Sequence, residues 1–369
     1  MTAPLHRVVG LMSGTSLDGI DAAFVETDGE QRLATGPSLT LPYDDVLRAR
    51  LRAALGGKGP VAEVERAMTE AHAEAVRTLI DRHGIAGVDL IGFHGHTILH
   101  RPEQGRTWQL GDGPLLAGLT GIDVVCDFRS ADVAAGGEGA PFAPLYHAAR
   151  ADRLDKPVAI LNIGGVANVT WIGPGVGDIL AFDTGPGNAL IDDWAFAHNG
   201  RPVDLDGALA AAGRADRVFV ERFLAHAFFD RPPPKSLDRD DFIGFVPTGL
   251  TPADGAATLT AMTAAAAARA AEHFPLPARR WLVCGGGRRN PVLMAALASL
   301  VGVPVDPVEA VGWDGDALEA QAFAYLAVRS TLGLPLSLPG TTGVARPMTG
   351  GRLFFAPADQ GSRRRPSRS

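Results

Sequence analysis

The chain has 369 residues, of which 46% are hydrophobic and 20% charged, and its formal net charge is −7. This length exceeds what one small core normally holds, so two domains are expected, and the acidic balance argues against a dedicated nucleic-acid-binding protein. No apolar run reaches transmembrane length, and no signal peptide is expected, because His6 and Arg7 lead directly into a strand. Cys126 and Cys284 each follow an apolar run, which predicts buried free thiols and fits a reducing cytoplasm.

The first half of the chain predicts three strands, a long helix and two further strands. Apolar residues recur at steps of three and four between residues 61 and 80, and Gly84 stands where a helix-capping glycine belongs. Asp28-Gly29 is typical of a hairpin turn. The strands are predicted at residues 8–12, 20–27, 32–43, 88–93 and 122–125.

The second half repeats this pattern about 150 residues later. Strands are predicted at 157–162, 166–172, 178–182, 280–283 and 352–355, and helices at 189–199, at 218–229 and from Asn290-Pro291 onward. Two βββα units in one chain favour two lobes that face each other across a cleft. The basic tail, residues 358–369, is expected to be disordered and solvated.

The first glycine-rich turn lies between the first two predicted strands. Residues 10–19 carry small and hydroxyl side chains that let backbone N–H groups close around an anion, as in a phosphate-binding turn. Asp18 and Asp21 supply the carboxylate oxygens that Mg²⁺ prefers. A plain hairpin turn is the alternative interpretation.

Two more glycine-rich turns follow predicted strands. They are Gly164-Gly165 and Gly285-Gly286-Gly287, the second of which precedes the helix at Asn290. Bare backbone beside a helix N-terminus suits a nucleotide, although glycines there also serve helix–strand packing. No P-loop is present, since Gly57-Lys58 lacks the required spacing.

Asp183 is the first candidate for a catalytic residue. It ends a predicted apolar strand, and strand ends in open α/β sheets face clefts, where a carboxylate can act as a general base. A turn or N-cap aspartate is the alternative. Asp183-Thr184-Gly185 also matches the string of aspartic proteases, but that chemistry needs two carboxylates side by side and therefore a symmetric dimer of this chain.

Histidine and arginine residues follow two strands of the first half. His94 and His96 share a face if their segment stays extended, and hydrogen bonding to sugar hydroxyls or simple loop structure is favoured over a zinc site. Arg129 can fix a carboxylate or a phosphate by a bidentate contact. An ion pair with Asp127 or Asp132 is the structural alternative.

Several motifs in chain order make the sequence similar to one known family. They are Gly10 to Asp21, Phe93-His94-Gly95, Trp108 to Asp112, Asp127-Phe128-Arg129, Ala134 to Gly137, Asn162 to Gly165, Asp183 to Asn188, Cys284 to Gly287 and Glu319 to Phe323. Together they resemble the anhydro-N-acetylmuramic acid kinases, sugar kinases with an actin-like fold, over nearly the whole chain.

The resemblance implies an α/β protein of two actin-like (ribonuclease H-like) βββαβα lobes. Residues 1–130 with the returning segment 345–357 would form the first lobe, and residues 131–344 the second. It also implies a cytoplasmic homodimer that uses ATP and Mg²⁺, with no nucleic-acid or membrane partner. Such enzymes open 1,6-anhydro-N-acetylmuramic acid with water and phosphorylate it to N-acetylmuramic acid 6-phosphate in peptidoglycan recycling.

Carried over residue by residue, the resemblance implies roles for individual positions. Asp183 matches the general base that deprotonates the attacking water, and Asp18 and Asp21 would be the magnesium ligands. The ATP-binding residues would be Gly10, Met12, Ser13, Gly14, Thr15, Ser16, Leu17, Asp18, Gly19, Gly164, Gly165, Gly285, Gly286 and Gly287. The substrate-binding residues would be His94, Arg129, Gly187, Asn188 and Glu319.

Three places depart from the family's pattern. His96 and Glu138 stand where glutamine is usual, and Lys-Ser-Leu-Asp-Arg-Asp at 235–240 replaces Lys-Ser-Thr-Gly-Arg-Glu. The first two departures concern sugar contacts, the third lies in a loop to which the sequence assigns no role, and none removes Asp183 or the phosphate turn. Two alternatives therefore stand beside the main interpretation: a kinase for another anhydrosugar such as levoglucosan, and a nucleotide-gated binding or scaffold protein on the same fold.

Overall fold

A computed structural model describes residues 4–14 and 17–357 of the chain. The predicted tail at 358–369 and the residues Thr15 and Ser16 lie outside the described residues. The strands are β1 (His6–Ser13), β2 (Gly19–Thr27), β3 (Leu33–Pro42), β4 (Leu90–Arg101), β5 (Arg106–Leu110), β6 (Asp123–Cys126), β7 (Val158–Ile163), β8 (Val166–Ile172), β9 (Ile179–Pro186), β10 (Arg280–Cys284), β11 (Val305–Pro307) and β12 (Arg352–Phe354).

Helices connect and cover these strands, and in the described part of the chain none is both long and apolar enough to cross a membrane. They are α1 (Asp45–Ala54), α2 (Val61–His83), α3 (Gly113–Thr120), α4 (Ser130–Ala134), α5 (Pro144–Arg150), α6 (Ala189–Asn199), α7 (Ala208–Ala211), α8 (Arg217–Leu224), α9 (Pro252–Arg269), α10 (Pro291–Val301), α11 (Leu318–Thr331) and α12 (Pro339–Thr342).

Two sheets share one strand order. The first runs β12-β6-β4-β1-β2-β3, with β5 paired to β4, and the second runs β11-β10-β7-β8-β9. In each, three consecutive strands form an antiparallel meander, and the first of the three also pairs in parallel with the next strand along the chain. This duplicated topology confirms the predicted pair of ribonuclease H-like lobes.

Alternation along the strands gives each sheet two apolar faces. In β1, Val9 and Leu11 face the cluster formed with α1, α2 and α3, while Val8 and Met12 face α11. In β7, Leu161 faces α9 and α10, while Ile160 joins the same central cluster as α11. Helices α5 and α11 therefore lie between the two sheets and connect their cores.

Helix α11 belongs by its contacts to the first sheet, although it lies within the range expected for the second lobe. It packs against β1, β2 and β4. At Gly10 and Gly92 a Cβ would lie 1.8 Å from the carbonyl oxygen of Ala320 and 2.1 Å from that of Phe323, so only glycine permits this approach. The division of the chain at residue 130 stays a prediction.

The strands and helices mostly begin and end near the predicted residues. Gly84 caps α2 in a left-handed conformation, as predicted. Helix α1 was not predicted from the sequence; its N-cap Asp44 accepts a hydrogen bond from Leu47 N–H at 2.7 Å. The helix predicted at 218–229 ends at Leu224 and is followed by a 3₁₀ turn at Ala227–Asp230.

Candidate active site

A row of polar side chains crosses the second sheet at one level. Cys284 of β10 pairs with Asn162 of β7, Asn162 pairs with Asn168 of β8, and Asn168 pairs with Asp183 of β9. All four line one cavity of about 80 Å³ at the cleft between the sheets. The opposite wall comes from the first sheet and its helix, and includes Arg129, Leu318, Glu319 and Phe323.

Asp183 lies within β9 rather than at its end, because the strand continues to Pro186. Its side chain is 6% exposed, and Oδ2 accepts a hydrogen bond from Leu237 N–H at 2.8 Å. Burial raises the pKa of Asp183 to about 7, against the opposing effects of Leu237 N–H and Arg129. A carboxyl group with this pKa gains and loses a proton near neutral pH, as a general base must.

Arg129 is held rigidly at the edge of the cavity. Its Nε donates to Nε2 of His94 at 3.0 Å, and Nη1 donates to the carbonyl of Gly139 at 2.7 Å. The guanidinium group lies over the rings of Phe142 and Phe323, 5.3 and 6.0 Å from their centroids. Within residues 4–14 and 17–357 it forms no ion pair with a carboxylate, so the structural alternative involving Asp127 or Asp132 is not realised.

His94 supports Arg129 instead of pointing a free ring nitrogen into the cavity. Nδ1 is 2.9 Å from the carbonyl of Gly95, so it carries the proton, and Nε2 accepts from Arg129. Burial and the neighbouring guanidinium hold the pKa of His94 well below its usual value, which keeps the ring neutral. Its predicted contact with substrate would therefore act through Arg129.

Glu319 begins α11 and reaches the same cavity. Burial raises the pKa of Glu319 above its ordinary value, and the charge of Arg129 opposes this shift. The cavity thus combines two carboxylates, Asp183 of β9 and Glu319 of α11, with the guanidinium group of Arg129. An electron-rich, hydroxyl-bearing ligand can donate to both carboxylates and accept from Arg129.

The phosphate turn that was predicted after β1 begins at a buried hydrogen-bonded serine. Ser13 lies opposite His96 in the sheet, and its Oγ is 3.0 Å from Nδ1 of His96 and accepts from the hydroxyl of Tyr43 at 2.7 Å. Leu17 adopts a left-handed conformation, with φ of 59°. The carbonyl of Gly14 accepts from Leu17 N–H at 3.2 Å.

His94 and His96 do not share a face, contrary to the expectation for an extended segment. Gly95 between them has φ of 78°, and the β1–β4 register shifts at this point. The ring of His94 lies 4.4 Å from that of Phe323 on α11, whereas His96 contacts Ser13.

Asp18 and Asp21 stand near each other beside the turn. Asp21 accepts from the hydroxyl of Thr40 at 2.6 Å, and burial together with the charges of Asp18, Glu319 and Asp316 raises the pKa of Asp21 to about 7. Among residues 4–14 and 17–357, no three His, Cys, Asp or Glu side chains are close enough to hold a metal ion. The pair suits Mg²⁺ that keeps several waters and is held mainly by phosphate oxygens.

Other predicted nucleotide contacts in the first lobe have packing roles. Gly10 lies inside β1 against α11, and a Cβ at Gly19 would lie 2.6 Å from the carbonyl oxygen of Leu41. Met12 is 8% exposed and packs into the central core. These positions shape the strands that hold the turn, and the described structure gives them no open approach to a ligand.

The glycine-rich turns of the second lobe lie together. Gly164 and Gly165 accept through their carbonyls from the N–H groups of Asn188 and Gly187, at 2.7 and 2.9 Å. Asn188 Nδ2 also donates to the carbonyl of Ile163, so its side chain stabilises the turn.

At Gly285 the third glycine-rich turn packs against β7. It has φ of 72°, and a Cβ there would lie 2.4 Å from Oδ1 of Asn162. A Cβ on Gly286 would lie 3.5 Å from Nδ2 of Asn188, and one on Gly287 would lie 2.5 Å from the side chain of Ile163. The predicted nucleotide turns and Asn188 therefore converge on one side of the cleft, next to Asn162.

The segment that covers Asp183 from the side was not predicted as part of the site. Leu237 and Lys235 hydrogen-bond to Asp183 through their backbones, and Glu138 accepts from the hydroxyl of Ser236 at 2.6 Å. The sequence carried a signal, because residues 235–240 stood out as a motif. No spacing rule connects that motif to a strand more than 50 residues earlier.

Comparisons of sequence with known proteins identify one family over nearly the whole chain. The family model described as anhydro-N-acetylmuramic acid kinase matches residues 6–356. An anhydro-N-acetylmuramic acid kinase of Paramagnetospirillum magneticum is 62% identical over 349 residues, covering 93% of this chain and 98% of the relative. One of Rhodospirillum rubrum is 58% identical over 353 residues, covering 94% of each chain. A solved structure, an activator of 2-hydroxyisocaproyl-CoA dehydratase from Clostridium difficile with bound ADPNP, is similar with a TM-score of 0.46 and 12% identity, covering 89% of this chain and 96% of that one.

Proposed function

Because the chain belongs to the anhydro-N-acetylmuramic acid kinase family, we propose that it opens and phosphorylates 1,6-anhydro-N-acetylmuramic acid with ATP, using Asp183 as the general base. The product is N-acetylmuramic acid 6-phosphate. The observation that carries the residue assignment is the cavity in which Asp183, with its raised pKa, faces Arg129 and Glu319.

Asp183 takes the proton from the attacking water. The water oxygen bonds to the anomeric carbon, the bond from that carbon to the bridging oxygen breaks, and this oxygen attacks the γ-phosphorus as ADP leaves. The hydrogen bond from Leu237 fixes one carboxylate oxygen of Asp183, so the other can face the water. General-base catalysis of this kind contributes about 10²- to 10⁴-fold in rate.

Arg129 and Glu319 orient the sugar. Arg129 is already fixed by His94 and Gly139, so little side-chain entropy is lost when its remaining N–H groups bind the lactyl carboxylate of the substrate. Glu319 accepts hydrogen bonds from sugar hydroxyl or amide groups. In this proposal the first sheet with α11 recognises the sugar, and β9 supplies the base for proton transfer.

The triphosphate lies between the first turn and the glycine-rich turns of the second lobe. The N–H groups of the first turn donate to phosphate oxygens, and Gly286, where an added Cβ would lie 3.5 Å from Nδ2 of Asn188, leaves room for the nucleotide. Asp18 and Asp21 would hold Mg²⁺ or its waters. When bound, the ion neutralises charge on the phosphates, which assists transfer.

The resemblance also supports a cytoplasmic homodimer. Sedimentation of the purified chain tests the oligomeric state, with twice the mass of the 369-residue chain as the expected result. A monomer across the working concentration range would remove the dimer from this proposal.

A coupled ADP-release assay tests the activity. The purified protein is supplied with magnesium ATP and with 1,6-anhydro-N-acetylmuramic acid, levoglucosan or no sugar. ADP release that depends on the first sugar is expected. Release with levoglucosan alone would change the substrate, because levoglucosan lacks the lactyl and acetamido groups, and silence with both despite ATP binding would support the scaffold alternative.

A further inference from the structure

One buried lysine in the second lobe has no acidic partner. Lys235 is 2% exposed, and in the described part of the chain no carboxylate lies within 4 Å of its Nζ atom. Nζ donates to the carbonyls of Phe228 and Phe229 at 2.9 and 3.3 Å and lies 3.4 Å from Nε2 of His273. It also lies 4.5 Å from the ring centroid of Phe228. Two carbonyls and an aromatic face thus replace the usual counter-ion.

The backbone of the same residue touches the proposed base. Asp183 N–H donates to the carbonyl of Lys235 at 2.9 Å, and Leu237 N–H donates to Oδ2 of Asp183 at 2.8 Å. Residues 235–237 therefore run along the free edge of β9 and hold Asp183 by both its backbone and its side chain. The buried ammonium group fastens the start of this segment to the 3₁₀ turn at Ala227–Asp230.

The segment also contacts the loop after α4 and, through the neighbouring Asp238, the first lobe. The hydroxyl of Ser236 donates to Glu138 at 2.6 Å, and Asp238 forms an ion pair with Arg101 at the end of β4. These exposed or half-exposed contacts are weak anchors in water. The lysine is the buried anchor, so the position of Leu237 N–H depends on it most.

We propose that Lys235 is a positioning residue for Asp183: its ammonium group fixes the segment 235–237, and the peptide groups of that segment hold the carboxylate. This inference rests on the proposed role of Asp183 as the base. Loss of the anchor would weaken the hydrogen bond from Leu237, which stabilises the charged carboxylate. The proton affinity of Asp183 would then rise, and the base would be less available at neutral pH.

None of the other charged groups that act on Asp183 is substituted in this test. These groups are Arg129 at the start of α4, Glu138 in the loop after α4, and Asp241 in the loop that follows residues 235–237. His147 of α5 lines the same cavity and is neutral, since burial lowers the pKa of His147 to about 3.

Lys235 has its own charged neighbours. Burial, together with the charges of Arg231 and Arg269, lowers the pKa of Lys235 to about 8, and Asp230 opposes this shift. None of these groups is changed when Lys235 is replaced, so a change at Asp183 reports the segment 235–237.

The test compares Lys235→Met, Lys235→Gln and Lys58→Met. Methionine removes every donor at similar length, glutamine keeps two N–H donors without the charge, and Lys58 is an exposed lysine far from the site. The measurements are kcat/KM for the anhydro sugar between pH 5 and 9, and the pKa of Asp183 by carbon NMR of the labelled full-length protein, with Asp183→Asn to assign its signal.

The expected result is that Lys235→Met raises the pKa of Asp183 by about one unit and shifts the acid limb of the kcat/KM profile to higher pH by the same amount. The loss of kcat/KM is then about tenfold at pH 6 and smaller at pH 8, Lys235→Gln lies between, and Lys58→Met matches the parent protein. Reduced stability with an unchanged Asp183 pKa would overturn the inference, as would failure of both Lys235 variants to fold. A shifted NMR pKa in a protein without kinase activity would instead overturn the proposed function alone.

Discussion

Replacing Asp183 with asparagine should greatly reduce activity and stabilise the protein at alkaline pH. Burial raises the pKa of Asp183 from 3.8 to about 7, so the folded protein keeps a proton there over a range in which the unfolded chain has lost it. The free energy of unfolding therefore falls as pH rises from about 4 to about 7, at ~1.4 kcal/mol per pH unit, or on the order of 4 kcal/mol in all. Asparagine does not titrate, and its carbonyl can still accept from Leu237 N–H.

Urea unfolding of the parent and Asp183→Asn proteins at pH 5.5 and pH 8.5 measures this difference. The stability advantage of the variant should grow by about 2 kcal/mol between these pH values, because the pKa of about 7 lies between them. Turnover should fall by about 10²- to 10⁴-fold while ATP binding persists. Asp152→Asn, on the exposed surface, is the matched control. A stability difference that does not change with pH would refute the argument from burial, and near-normal turnover would refute the assignment of the base.

Three further predictions follow from the geometry. Arg129→Gln should raise KM for the sugar at least tenfold and change KM for ATP little, which steady-state kinetics with each substrate varied will check. Gly285→Ala should lower the free energy of unfolding by more than about 1 kcal/mol, because the added Cβ would lie 2.4 Å from Oδ1 of Asn162. Gly302 also has a positive φ but has open space around it, so Gly302→Ala should lower the free energy of unfolding by only about 1 kcal/mol. Equal losses for the two variants in urea unfolding would contradict the packing argument. Tyr43→Phe removes the donor to the serine of the phosphate turn and should raise KM for ATP, and an unchanged KM would exclude that support.

Elements with strong local patterns were predicted well from the sequence. Alternation and turn signals were sufficient to place β8 at its observed residues, a helical pattern placed α6, and the apolar periodicity of α2 located its capping glycine. The repeat of the whole pattern, together with the family resemblance, predicted the two-lobed topology. In these elements local propensity and tertiary packing favour the same structure, so the sequence alone is informative.

Features that depend on distant contacts could not be predicted in the same way. The positive φ of Gly95 sends His94 and His96 to different neighbours, and nothing in the alternation of residues reveals it. The roles of His94 and Gly10 come from their contacts with Arg129 and α11, which are set by tertiary packing. The hydrogen bonds between residues 235–237 and Asp183 join segments about 50 residues apart, and only the folded chain reveals that contact.

The tight contact of α11 with β1 and β4 suggests a route to inhibition. Because Gly10 and Gly92 admit the helix backbone directly, Glu319 is fixed to the first sheet, while Asp183 belongs to the second. A small molecule wedged between β9 and the start of α11 would separate these groups without resembling either the sugar or ATP. A displacement of about 1 Å between reacting groups can cost on the order of 10²-fold in rate, so such a wedge would need to move the halves only slightly.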